Sequence, residues 1–132
     1  MPFDPAHPLA SVWLLACVVV FTAAIGIPLT VAPLRWGRAL GWSIPGGDTD
    51  LTVYFGRCLG AVVLVLAFLL AGAAADPAAN RWAFHILMLA GGAMTAVHAW
   101  GWLRRIQPWF ENLETFLYGA VVVSTWMVAR TL

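Results

Sequence analysis

From Ala10 to Val31 the chain carries no charged side chain. About 20 such residues in a helix rise roughly 30 Å, the thickness of a bilayer's hydrocarbon layer. Three more stretches follow the same plan: about Leu51–Ala75, broken only by Arg57; about Arg81–Trp102; and about Trp109–Arg130, with Glu111 and Glu114 in its first turns. A water-soluble fold of 132 residues has too little interior to hide all four. The composition, 62% hydrophobic and 10% charged, departs in the same direction from the usual soluble mixture of about 45–50% apolar and about 25% charged residues. The expected fold is therefore all-α: a single domain over residues 1–132, built as an integral membrane four-helix transmembrane bundle.

The same residues exclude several chemistries. A formal net charge of +1 gives no reason to expect nucleic acid or an acidic substrate. Every basic residue is arginine, so lysine Schiff-base chemistry is out. Cys17 and Cys58 lie in different apolar runs and form no C-x-x-C pair, so neither a disulfide nor thiol redox chemistry is expected. There is no G-x-S-x-G, H-E-x-x-H or phosphate loop. The start, MPFDPAHPLA, has no positive residue ahead of its apolar run and reads as leading into a retained helix rather than a signal peptide.

The connections give further expectations. Gly26 and Pro28 weaken the end of the first run, where neighbours can satisfy a freed carbonyl, and Pro33 closes it. In Pro33–Asp50, Arg35 and Arg38 alternate with Leu34, Trp36, Leu40 and Trp42, which fits either a short segment in the headgroup layer or a plain loop. Pro45-Gly46-Gly47 breaks the chain, and Asp48, Thr49 or Asp50 can cap the next helix. Gly56 and Gly60 form a G-x-x-x-G continued by Ala67, Ala71 and Ala75, a stripe that lets helix backbones approach closely, within the bundle or between copies. Asp76-Pro77 ends that helix. The remaining links are short, so sequential helices are expected to be antiparallel neighbours. Arg35, Arg38, Arg104 and Arg105 lie in the first and third links, against Arg81 and Arg130 opposite. The positive-inside bias then predicts those two links in the cytoplasm and both termini outside.

Depth brings three ionisable residues to one level. Arg57 lies about six residues into the second run, roughly 9 Å along the axis. His98 is about as far from the end of the third, and Glu114 is roughly 7 Å into the fourth. Charges inside a bilayer normally face the bundle interior and pair. The expectation is an Arg57–Glu114 ion pair, with Glu111 as second choice and His98 or Tyr118 hydrogen-bonded nearby. Such a network fastens three helices. Read as a ligand or proton site instead, it would use Arg57 to hold an anionic or carbonyl group, His98 to exchange a proton, and Tyr54, Thr95 and Tyr118 to orient the ligand. His85 and His98 sit on different faces, roughly 20 Å apart along one helix, and cannot share an iron. No metal site or other cofactor is expected, and His85 reads as an interfacial residue beside Arg81 and Trp82.

Four helices in 132 residues, with Gly56, Arg57, Leu59 and Gly60 forming G-R-x-L-G at the start of the second, resemble the DoxX-like and BphX-like small bacterial membrane proteins. That resemblance implies a bundle in the bacterial inner membrane and little about chemistry. The residues themselves support three functional readings. One is a non-enzymatic accessory or assembly subunit, packing in the lipid bilayer with a homo-oligomeric copy or a larger membrane complex. The second is a binder or enzyme for a lipid-soluble ligand such as a quinone, using the Arg/His/Glu cluster. The third is a small proton-coupled transporter, although the carboxylate of such proteins usually lies deeper than Glu114.

Overall fold

The computed structural model describes residues 3–44, 46 and 49–132. These form five helices, and no strand occurs among the described residues. Helix α1 spans Pro8–Val31, α2 Pro33–Ala39, α3 Asp50–Ala73, α4 Trp82–Arg104 and α5 Trp109–Ala129. By length and composition α1, α3 and α4 can each cross a membrane. Helix α5 has 21 residues and carries Glu111 in its first turn.

Helix ends follow local chemistry. Pro8 starts α1 at a position where the missing N–H has no intrahelical partner to lose. Pro28 does not end α1. A single π turn, Thr22–Gly26, precedes it, a usual way for a helix to absorb a misfit. The Ala24 carbonyl, which an unbroken α-helix would pair with residue 28, accepts the Trp36 indole N–H at 2.8 Å. Pro33–Asp50 is thus partly helical, and its first aromatic mends the proline break. Thr49 sits at the N-cap of α3 without a side-chain cap bond. Asp48 and the Pro45 and Gly47 of the expected chain break lie outside the described residues.

Two helices close with the same backbone device. At the end of α2, the Trp42 N–H donates to the Gly37 carbonyl and the Gly41 N–H to that of Arg38, with Gly41 at φ 88°. At the end of α4, the Ile106 N–H reaches Gly101 and the Arg105 N–H reaches Trp102. There the left-handed residue is Arg105, at φ 54°, where glycine is the usual choice. Arg105→Gly is therefore expected to stabilise the protein by about 0.5–1 kcal/mol. Reversible unfolding in mixed micelles checks this, and a loss of stability would contradict the turn.

The helices pack as two pairs. Helix α3 lies along α1, and α5 lies along α4, while α3 and α4 touch at few places despite being consecutive. Glycines set the first pairing: a Cβ on Gly60 would stand 2.6 Å from the Thr30 nitrogen and 2.9 Å from the Gly26 carbonyl, and one on Gly56 would stand 2.6 Å from Pro33. The G-x-x-x-G thus works inside the chain. In the second pair, Gly91 lets α4 approach Val122 and the Tyr118 carbonyl.

The pairs join at the end where α1 and α4 begin. Leu14 and Cys17 of α1, Leu70 and Ala73 of α3, Phe84 and Leu87 of α4 and Val128 of α5 form the buried core there. Its polar groups are satisfied. The Ser11 hydroxyl donates to the Ala74 carbonyl at 2.6 Å, and Trp13 Nε1–H donates to Thr125 Oγ1 at 3.1 Å. The Pro-rich start is tied in as well: the Asp4 N–H donates to Ser11 Oγ at 2.9 Å, and His7 Nδ1 lies 2.7 Å from Asp4 Oδ2. That hydrogen bond holds the Asp4 carboxyl below the ordinary carboxylate range. Cys17 is buried, Cys58 is exposed, and neither is in a disulfide.

Candidate functional site

At the opposite end, the turn between α4 and α5 is stapled from within. Gln107 Nε2–H donates to the His98 carbonyl and to Asn112 Oδ1, both at 3.0 Å. Gly101 makes room, since a Cβ there would collide with the Gln107 side chain. Pro108 then caps α5 in an extended conformation. Three-residue spacing puts Glu111 and Glu114 on one face of α5, and that face is turned to α4.

His98 lies between them. Its Nδ1 is 3.5 Å from Glu111 Oε2, and its Nε2 is 3.5 Å from Glu114 Oε2. The imidazole stacks on Tyr118, with centroids 5.3 Å apart and planes at 24°. Glu111 is the hub. Its Oε1 accepts the Trp42 indole N–H at 2.7 Å, tying the end of α2 to α5, and Gly41 packs beneath against Pro108. His98 and Glu111 are 7% and 4% exposed, while the Glu114 side chain is 15% exposed. At 3.5 Å the imidazole–carboxylate contacts exceed the about 2.7–2.9 Å of a charge-assisted hydrogen bond. His98 Nδ1 is buried with no hydrogen-bond partner.

The structure gathers four of the seven expected polar residues: His98, Glu111, Glu114 and Tyr118. The other three lie elsewhere. The expected Arg57–Glu114 pair does not form: Glu114 faces His98, Arg57 is exposed, and α3 makes no close backbone approach to α5. The physical reason is the Gly56/Gly60 face, which draws α3 onto α1 instead. Tyr54, on the same helix, is 62% exposed. Thr95 donates its hydroxyl to the Gly91 carbonyl of its own helix at 2.8 Å. His85 is exposed on α4 and lies outside the cluster.

Trp42 and Gln107 belong to the site and were not expected there. A tryptophan N–H that leaves water needs an acceptor; that demand was the available signal, but the acceptor is 69 residues away. The donor set was also larger than expected. One nitrogen of His98 and one oxygen each of Glu111 and Glu114 lie within 4.8 Å of one another. The expectation of no metal weighed histidine pairs alone and passed over one histidine facing two carboxylates.

Two clefts border the cluster. One, of about 280 Å³, lies between α1, α2 and α5 and is walled by Glu114 together with Phe21, Trp36, Phe110 and Leu117. The other, of about 130 Å³, opens where α3 and α4 diverge and is apolar apart from Tyr118. Phe21 and Ile25 line both, so one wall of α1 separates them. Comparison with protein families, curated proteins and solved structures finds no match to the chain.

Proposed function

We propose that this protein is an integral membrane bundle, with α5 as a fourth transmembrane span, that binds a lipid-soluble molecule bearing a polar end, such as a quinone. The observation that carries this reading is the double position of Glu114, which faces His98 and also walls an otherwise apolar cleft. A bound molecule would set its tail against Phe21, Phe110 and Leu117 and its polar end at Glu114.

The membrane placement is supported by the outer surface. Phe68 of α3 and Leu89 of α4 are 78% and 74% exposed, and lipid is the solvent in which such residues are stable there. Trp42–Glu111 and Gly41–Pro108 put the two arginine-rich links at one end of the bundle. By the positive-inside bias that end faces the cytoplasm, with both termini outside, and the bacterial inner membrane is the membrane implied by the family resemblance. The accessory-subunit reading drew on the small-residue stripe, and Gly56 and Gly60 of that stripe pack against α1. That shifts the balance toward a ligand.

A photoreactive isoprenoid quinone tests the proposal. It is expected to label the Phe110–Leu117 segment of α5 in proteoliposomes. Glu114→Gln and the cleft-filling Leu117→Trp should each reduce labelling by at least about tenfold. Labelling spread evenly over lipid-facing residues such as Phe68 and Leu89, and unchanged in both variants, would remove the proposal.

A further inference from the structure

We propose that His98, Glu111 and Glu114 form a binding site for one divalent transition-metal ion, of the class of zinc, manganese or ferrous iron. The inference stands on the cluster itself and does not require a ligand in the neighbouring cleft.

Spacing is the first argument. Ligand atoms about 2.0–2.2 Å from a tetrahedral ion stand roughly 3.3–3.6 Å apart. The imidazole–carboxylate separations are 3.5 Å on both sides of His98. That spacing is long for hydrogen bonds. Because an imidazole gives only one nitrogen to an ion, one of the two contacts matches an edge of a coordination polyhedron. The three donor atoms, one from each residue, lie within 4.8 Å of one another. The second argument is the orphaned nitrogen. A buried imidazole nitrogen without a partner is costly, and His98 Nδ1 is one, in a residue only 7% exposed. It faces one of the two carboxylates, 3.5 Å from Glu111 Oε2.

Charge is the third. Two carboxylates withdrawn from water repel each other and call for a counter-charge. Among the described residues no arginine forms an ion pair with either. A divalent cation with a neutral imidazole makes the group electrically neutral, the state a membrane interior favours. Donor type then narrows the ion. One nitrogen and two oxygens suit a borderline first-row ion better than calcium, which takes about six to eight oxygens. The surroundings fit too. Trp42 Nε1–H orients Glu111 through the oxygen that does not face His98, and partners of this kind hold metal-binding carboxylates in place.

The test uses the full-length protein in detergent, free of any affinity tag and stripped with chelator. Dialysis against Zn²⁺ and Co²⁺ in separate samples is expected to leave one ion per chain. The Co²⁺ form should show visible d–d absorption, which excess Zn²⁺ abolishes and excess Ca²⁺ leaves unchanged. His98→Ala, Glu111→Gln and Glu114→Gln should each abolish stoichiometric binding, and Trp42→Phe should weaken it by about 10–100-fold. His7→Ala and His85→Ala should change nothing. Circular dichroism and gel filtration establish folding; should His98→Ala fail to fold, the near-isosteric Glu114→Gln decides. Less than about half an ion per chain, or binding that survives Glu114→Gln, overturns the proposal. The quinone labelling is read separately on metal-loaded and stripped protein. Loss of labelling with metal binding intact removes the ligand reading alone, and the reverse result removes the metal site alone.

Discussion

Replacing Gly60 with alanine is expected to destabilise the protein by about 1–3 kcal/mol, the usual cost of forcing an extra carbon into a packed contact. The new Cβ would stand 2.6 Å from the Thr30 nitrogen and 2.9 Å from the Gly26 carbonyl. Both are backbone atoms of α1 and cannot rotate aside as a side chain could. The Thr30 hydroxyl, which donates to that carbonyl at 2.7 Å, would have to move as well. Gly72 is the control. Nothing lies within 4 Å of a Cβ placed there, so Gly72→Ala, in the last turn of α3, should cost nothing and gain at most about 0.5 kcal/mol through helix propensity. Unfolding in mixed micelles measures both. Equal stability of the Gly60→Ala protein and the parent would mean that α3 does not lie on α1 as described.

The second large effect is expected at the junction of α2 and α5. Glu111 and Trp42 are joined by a 2.7 Å hydrogen bond, with Gly41 against Pro108 just beneath. Hydrogen bonds to charged groups contribute about 1.5–3 kcal/mol. Since Trp42 is 38% exposed, the lower part of that range applies. A cycle of Glu111→Ala, Trp42→Phe and the double variant should therefore give a coupling of about 1.5 kcal/mol. Trp42→Phe alone should increase protease access to the segment between α2 and α3. Additive single effects would mean the two residues act independently and α2 is held by other contacts.

These expectations show which kinds of information a sequence of this sort carries. Element existence was legible, because uncharged runs of bilayer length admit few other structures. The helix ends expected at Ala10, Leu51, Arg81 and Trp109 fall within two residues of those observed. Depth was legible too, since a rise of about 1.5 Å per residue puts His98 and Glu114 at one level. Neighbour choice was not. Arg57 shares that level, but a helix has a direction around its axis as well as a depth along it. The side that α3 presents is decided by where Gly56 and Gly60 find a flat partner. Glu111 was underestimated for a related reason. A carboxylate in a first helical turn usually faces solvent and complements the helix dipole, and only the arrival of Trp42 from a distant link shows that this one is enclosed.

The core that joins the two helix pairs lies at one end; the apolar cleft starts at its edge, sharing Leu70 and Leu87, and the Glu114 cleft lies toward the other end. A molecule tied in this way would work like a clothes-peg, in which small rotations about the tight end change the width of the far end most and the packed residues least. Under the proposed function, a guest arriving sideways from the lipid would need no helix to unwind, and the hydrogen bond between Trp42 and Glu111 would be the catch across the jaws.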